Sequence, residues 1–169
     1  GFMPMPLAAG TGPATLAGTL VIQNAGTLSG VVLLELAQPG VPAFFSGAPS
    51  VIDLTTGGYT GGSPEDYLLA AAANQLAYFY GVPMAMGTMA TGAKEPDWQA
   101  AVDDSLSTFA SVMTGADMMN GCGLLDGSKI LSYPHMVMES EIYGIVQKVA
   151  DGFAVDDETL ALDVIKRVG

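Results

Sequence analysis

Residues able to do chemistry are sparse in this sequence, and the densest group before a helix is Lys94, Glu95 and Asp97 in T-G-A-K-E-P-D. A lysine between acids can contact a charged substrate or partner; its plainer reading is a solvated loop ion pair, which contributes little. Thr88 opens the same loop, and Asn120 and Cys122 stand together in M-M-N-G-C-G. Phe44, Phe45 and Tyr59 flank a second loop and could form part of an aromatic box, whose ring faces attract quaternary ammonium groups. One of Phe44 and Phe45 should instead point into the core. Met84, Met86 and Met89 could line a pocket, although methionine more often serves as adaptable packing. Cys122 is the single cysteine and His135 the single histidine, so no disulfide framework and no metal centre is expected. Gly87-x4-Gly92-Ala93-Lys94 has the look of a phosphate loop, but its lysine comes one place late and Glu95 follows it where Ser or Thr is needed.

The elements that must position these residues follow one grammar. Val82 to Gly87 reads as a strand too apolar to have a wet face, hence buried on both sides as in a parallel sheet. Glu95 to Thr114 reads as an amphipathic helix, with Pro96 in its first turn. Before it come a strand at Met3 to Ala9, a long helix at Ala14 to Gln38, a strand at Val41 to Ser46 and a helix from Ser63-Pro64 to Tyr80. Gly18, Gly26 and Gly30 each weaken the long helix by about 1 kcal/mol relative to alanine, which makes sense if another element packs very close to them. After it come a short strand at Ala116 to Asn120, a helix from Ser132 or Tyr133 to Asp151, and a last helix over Asp156 to Val168. The loop between Ser46 and Ser63 is long enough to suggest function.

Strand alternating with helix four times means an α/β fold with a parallel sheet. Four βα units are half of an eightfold barrel, which typically needs ~250 residues; a small open doubly wound sheet is the alternative. In either, ligands bind at the carboxyl ends of strands, where Gly10-Thr11, Ser46-Gly47, Thr88 to Asp97 and Asn120 to Cys122 lie.

Composition narrows the partners. The chain has 169 residues, half of them hydrophobic and 13% charged, which fits one well-buried domain. A formal net charge of -12 excludes nucleic acid as the natural partner. It would tolerate a cationic small molecule. A lone cysteine fits a reducing cytoplasm, and Gln23, Asn24 and Glu35 interrupt the longest apolar runs before they reach membrane length. Both ends read as cut.

The chain resembles the trimethylamine methyltransferase family along nearly its whole length. The resemblance rests on P-A-T-L-A-G-T-L at 13–20 with Gln23-Asn24-Ala25, and on A-K-E-P-D-x-Q-A at 93–100. Thr114-Gly115-Ala116, E-I-Y-G at 141–144 and D-D-E-T-L-A-L-D-V-I at 156–165 support it. It implies a partial (βα)8 TIM barrel of about four βα units, residues 1–169 being a single domain internal to the C-terminal part of a longer methyltransferase. The implied activity moves a methyl group from a methylated or quaternary amine, such as trimethylamine or glycine betaine, to the cobalt of a corrinoid (cobalamin) carried by a separate protein, with no corrinoid bound directly. The sequence shows no pyrrolysine and looks like the non-pyrrolysine, glycine betaine methyltransferase-like branch; the position equivalent to pyrrolysine stays open, with the Lys94 loop its candidate. Such chemistry needs no protein nucleophile, because the cofactor supplies one. An isolated partial barrel would expose strand edges, so self-association and no activity of its own are expected. The alternatives are a truncated relative that binds a small cation or a protein, and an unrelated flavodoxin-like domain.

Overall fold

The structure is a computed structural model describing residues 1–169. Its elements run β1 (Leu7–Ala8), α1 (Leu16–Ala37), β2 (Phe45–Gly47), β3 (Ser50–Val51), α2 (Pro64–Tyr80), β4 (Met84–Gly87), α3 (Trp98–Met113), β5 (Met118–Asn120), β6 (Leu124–Leu125), β7 (Ile130–Leu131), α4 (Tyr133–Asp151), α5 (Asp157–Leu160) and α6 (Leu162–Val168). β4 is the middle strand of a parallel β2-β4-β5 sheet, with Phe45 opposite Met84 and Gly87 opposite Asn120. β1 pairs with β3 in parallel, and Ala48 N–H and Ser50 N–H donate to Pro4 and Pro6 carbonyls, which lays the first strand beside the β2–β3 segment.

Within the three-stranded sheet the strands lie in chain order, while β3 pairs with β1 instead. Helices follow the same order, α1 packing on α2, α2 on α3 and α3 on α4. Among β2, β4 and β5 this order shows no reversal point. The sheet is open, and no closed barrel is present. The expected burial of the central strand on both faces holds for Met84, Ala85 and Met86, with Phe45, Ala70, Ala73 and Ala77 packed around the two methionines, whereas Val82 and Pro83, expected in the strand, precede it and are exposed. At about 25 cal/mol per Å2 of apolar surface removed from water, this small cluster supplies the main drive for docking α2 on the sheet.

Several expected boundaries move. The first strand shortens to two residues because Pro4 and Pro6 cannot donate to a ladder. Asp97 caps α3, its side chain accepting from Ala100 N–H at 3.0 Å; Pro96 therefore precedes the helix instead of sitting in its first turn. The long loop contains β3, the segment 121–131 between β5 and α4 contains the β6–β7 hairpin, and the last helix breaks at Ala161, whose φ of 49° is left-handed. The start of α2 is as expected. Ser63 and Asp66 form a reciprocal capping box with Pro64 in the first turn, and Gly81 ends the helix at φ 66°.

α1 is long and apolar enough to cross a membrane by length and composition, contrary to the sequence expectation. In the fold it lies on the sheet by its polar row. Thr19, Gln23 and Thr27 are buried, Thr27 Oγ1 donating to Ser46 O at 2.8 Å. Gly26 and Gly30 answer the close-packing expectation: a Cβ at Gly26 would sit 2.9 Å from the Pro4 ring and one at Gly30 2.4 Å from the Phe2 ring. The opposite face leaves Val21, Val32, Leu33 and Leu36 exposed. An apolar helix face of this kind, beside open strand edges, favours association. The isolated 169-residue chain should therefore run as a dimer or larger species in size-exclusion chromatography with light scattering; a mass of 17.2 kDa at all concentrations would contradict this.

Candidate functional site

The carboxyl ends of the parallel strands open into a cavity of about 450 Å3. Ala48, Gly87 and Asn120, at or just past the ends of β2, β4 and β5, form one wall. Met3, Met5 and Leu7 form another, because alternate residues of an extended segment share a face. Tyr59, Gly121, Leu124, Gly127 and Ser128 lie around them. No lining residue carries a charge. Gly87 is required here, since a Cβ on it would lie 2.6 Å from the Ala48 Cβ.

Three loops are stitched together to close this end. Gly92 N–H donates to Gly61 O at 3.2 Å, Thr91 N–H to Leu124 O at 3.2 Å, and Gly127 N–H to Thr91 O at 3.0 Å. Thr91 Oγ1 donates to Asp103 Oδ2 at 2.6 Å, which ties the assembly to α3. Gly92 approaches the neighbouring loop so closely that a Cβ would stand 2.3 Å from the Thr60 carbonyl oxygen. The glycine-rich runs at 57–62 and 87–92 are therefore places of close backbone contact.

Of the residues singled out by sequence, the structure brings Tyr59 and Asn120 to the cavity wall. Tyr59 is half-buried, and desolvation, helped by the nearby Asp66 charge, pushes its phenol up to about 12, so it stays neutral throughout the physiological range. Phe45 is core, stacked 5.9 Å from the Tyr80 ring, while its half-buried neighbour Phe44 lies outside the cavity lining, against Gly1. Thr88 is buried with its hydroxyl unpaired. Cys122 is exposed in the loop beside the cavity, its Sγ 3.4 Å from Met89 Sδ, and partial desolvation and the Glu139 charge raise its thiol. Lys94, Glu95 and Asp97 are exposed on the surface; Lys94 forms no ion pair with either acid, and Asp97 serves as a helix cap. Met84, Met86 and Met89 are core residues and do not line the cavity.

Sequence reasoning missed the wall formed by Met3, Met5 and Leu7, which the M-P-M-P-L alternation could have signalled. It also missed a buried cluster between α3 and α4. His135 Nε2 lies 2.8 Å from Asp104 Oδ2 and 3.5 Å from Glu139 Oε1, and all three side chains are inaccessible to solvent. Gly123 N–H donates to Glu139 Oε2. Asp104, His135 and Glu139 are the side chains whose type and spacing could hold a metal ion. Burial drives Asp104 up to about 8, with the Glu139 charge adding to it, and Glu139 to about 7; burial holds His135 below its ordinary value.

An α/β chain with a neutral, mostly apolar cavity at strand carboxyl ends has the form of a small-molecule site. The trimethylamine methyltransferase (MTTB) family matches residues 2–169, and the chain belongs to that family. It is 36% identical to a trimethylamine methyltransferase of Methanosarcina barkeri over 167 residues, covering 99% of this chain and 34% of that protein. It is likewise 36% identical to a glycine betaine methyltransferase of Desulfitobacterium hafniense over 164 residues, covering 96% of this chain and 34% of the relative. The chain thus spans about a third of the length of these relatives.

The carboxyls predict a pH dependence. A carboxyl whose pKa rises on folding stabilises the protein below its unfolded value, and this is lost as pH rises through the folded value. His135, held low, acts in the opposite sense below about 6.5, so from there to pH 8 the raised carboxyls set the slope, Asp104 and Glu139 foremost. In chelator, the melting temperature should fall across that window, and Asp104→Asn should flatten the slope. A flat or rising wild-type profile would contradict the assignment.

Proposed function

We propose that the cavity is the amine-binding part of a methyltransferase that takes a methyl group from a quaternary or tertiary methylamine, of the glycine betaine or trimethylamine kind, and delivers it to a corrinoid held by a separate protein. The observation that carries this is the neutral lining with one aromatic ring. A quaternary ammonium has no N–H to donate, so its site needs no carboxylate partner. It needs apolar walls for the methyl groups and a ring face for the charge. Met3, Met5, Leu7 and Leu124 offer the first and Tyr59 the second. A betaine carboxylate would find donors in Asn120 and Ser128. The chain's acidity favours approach of a cation.

A cavity of this size admits a small amine and not a macrocycle, and its lining holds no imidazole or thiol to ligate cobalt. That fits a corrinoid presented from outside by a partner, which would supply the nucleophile for the methyl group. This chain's residues would bind the amine, exclude water and fix the direction of the transferring methyl. The sequential order of strands and helices is the order of consecutive barrel units. This supports reading the fold as part of a (βα)8 barrel whose remaining units complete the site. Lys94, exposed at the rim side of α3, is then a candidate for contact with the corrinoid protein. A cytoplasmic location suits a reduced cobalt cofactor.

The test is methyl transfer from glycine betaine and from trimethylamine to cob(I)alamin, followed by its absorbance, on a full-length protein that carries this chain. Tyr59→Ala should raise KM by about 2- to 30-fold, the ~0.5–2 kcal/mol of a lost cation–ring contact, while Tyr59→Phe should leave it nearly unchanged. Transfer from neither amine would favour the rival reading, a non-enzymatic relative that binds a small cation or a protein.

A further inference from the structure

We propose that Asp104, His135 and Glu139 form a structural site for a divalent transition-metal ion of the zinc class, tying α3 and α4 to the loop that carries Gly123. The reading is independent of the methyl-transfer assignment, since the cluster lies in the helix layer and lines no part of the cavity.

The first observation is convergence. One imidazole nitrogen and a carboxylate oxygen from each acid lie within 4.8 Å of one another, with separations of 2.8 and 3.5 Å about His135 Nε2. Two donors bound at about 2.1 Å to one ion, at octahedral to tetrahedral angles, are themselves roughly 3.0–3.4 Å apart, and the observed separations bracket that range. The second is that the donors are spare. Asp104 Oδ1 and Oδ2, His135 Nδ1 and Nε2, and Glu139 Oε1 are all buried without a hydrogen-bond partner, although Nε2 is close enough to Asp104 for one. Atoms that crowd together without aligning as donor and acceptor are arranged around a shared centre. Buried polar atoms are almost always satisfied, and five orphaned atoms on three side chains need a common explanation.

The third observation is how the ligands are held. His135 and Glu139 are four residues apart in the first turns of α4, so they share a face, and Asp104 meets them from α3. Glu139 Oε2 is engaged by Gly123 N–H, which leaves Oε1 as the free donor; an outer hydrogen bond of this kind orients a ligating carboxylate. Charge also balances. Two carboxylates and a neutral imidazole around a divalent ion sum to zero, whereas two bare carboxylates in a dry site repel and are poorly solvated. With Asp104 bidentate, three side chains supply four oxygen and nitrogen donors, enough to close a four-coordinate site.

The purified chain, stripped with EDTA and dialysed, is titrated with Zn2+ by calorimetry at pH 7, and separately loaded with Co2+. One Zn2+ per chain is expected, with visible Co2+ bands that stoichiometric Zn2+ abolishes. The near-isosteric variants Asp104→Asn and Glu139→Gln should each weaken Zn2+ binding at least 10-fold while retaining the wild-type circular dichroism spectrum. If a variant fails to fold, the stoichiometry and Co2+ spectrum of the wild type decide alone. Absence of stoichiometric Zn2+ binding by folded wild type would overturn the proposal. So would binding that both folded variants retain undiminished, since that places the ion on surface acids.

Discussion

The position of β4 between two parallel neighbours is the constraint on which the rest depends. A middle strand has both rows of backbone groups paired and both faces covered, so it must be short, apolar and free of charge. M-A-M-G meets that demand, with the methionines filling the space left by the alanine-rich face of α2. Gly87 ends the strand without a side chain, so Ala48 can come close and the cavity begins there. Everything functional hangs from that point: the loop after β4 reaches the loops after β3 and β5 through backbone hydrogen bonds, and those contacts set the cavity's floor.

A second feature is the unusual distribution of polarity. α1 turns threonines and a glutamine toward the sheet and aliphatic residues outward, and α3 and α4 enclose two acids and a histidine. Both depart from the usual pattern in which a helix buries its apolar stripe. For α1 the departure is explained by the glycine and threonine row, which lets the N-terminal segment and β2 approach closely, and by an outer face that suits contact with further polypeptide. For α3 and α4 it is explained by ligands that need a centre between them.

Much of the architecture was legible because it is written in local signals. Ser63-Pro64-Glu65-Asp66 announced a helix start, Pro39-Gly40 a stop, and the alternation of apolar strand with amphipathic helix announced an α/β fold with parallel strands. What failed was local too: Pro96 looked like a first-turn residue, but Asp97 behind it had the stronger capping chemistry. The site was legible only in part. Asn120, singled out at a strand end, and Tyr59, singled out as part of an aromatic box, both line the cavity, whereas Lys94, Glu95 and Asp97 attracted attention by charge and lie on the surface. The cavity wall from Met3 to Leu7 comes from the far end of the chain. Asp104 is 31 residues from His135, so no window along the sequence shows that α3 and α4 bring them together. A lone histidine carries no signal until packing supplies its neighbours.

The central claim is that methylated amines bind in the cavity at the strand ends. Its most direct test is the spectrum of a full-length protein that carries this chain, labelled with 13C at the methionine methyl groups and titrated with glycine betaine and with trimethylamine. The account predicts shifts confined to Met3 and Met5 on the cavity wall, with core Met84 and surface Met138 unmoved. Saturating ligand that leaves Met3 and Met5 unchanged, or that shifts Met84 and Met138 as much, would contradict it.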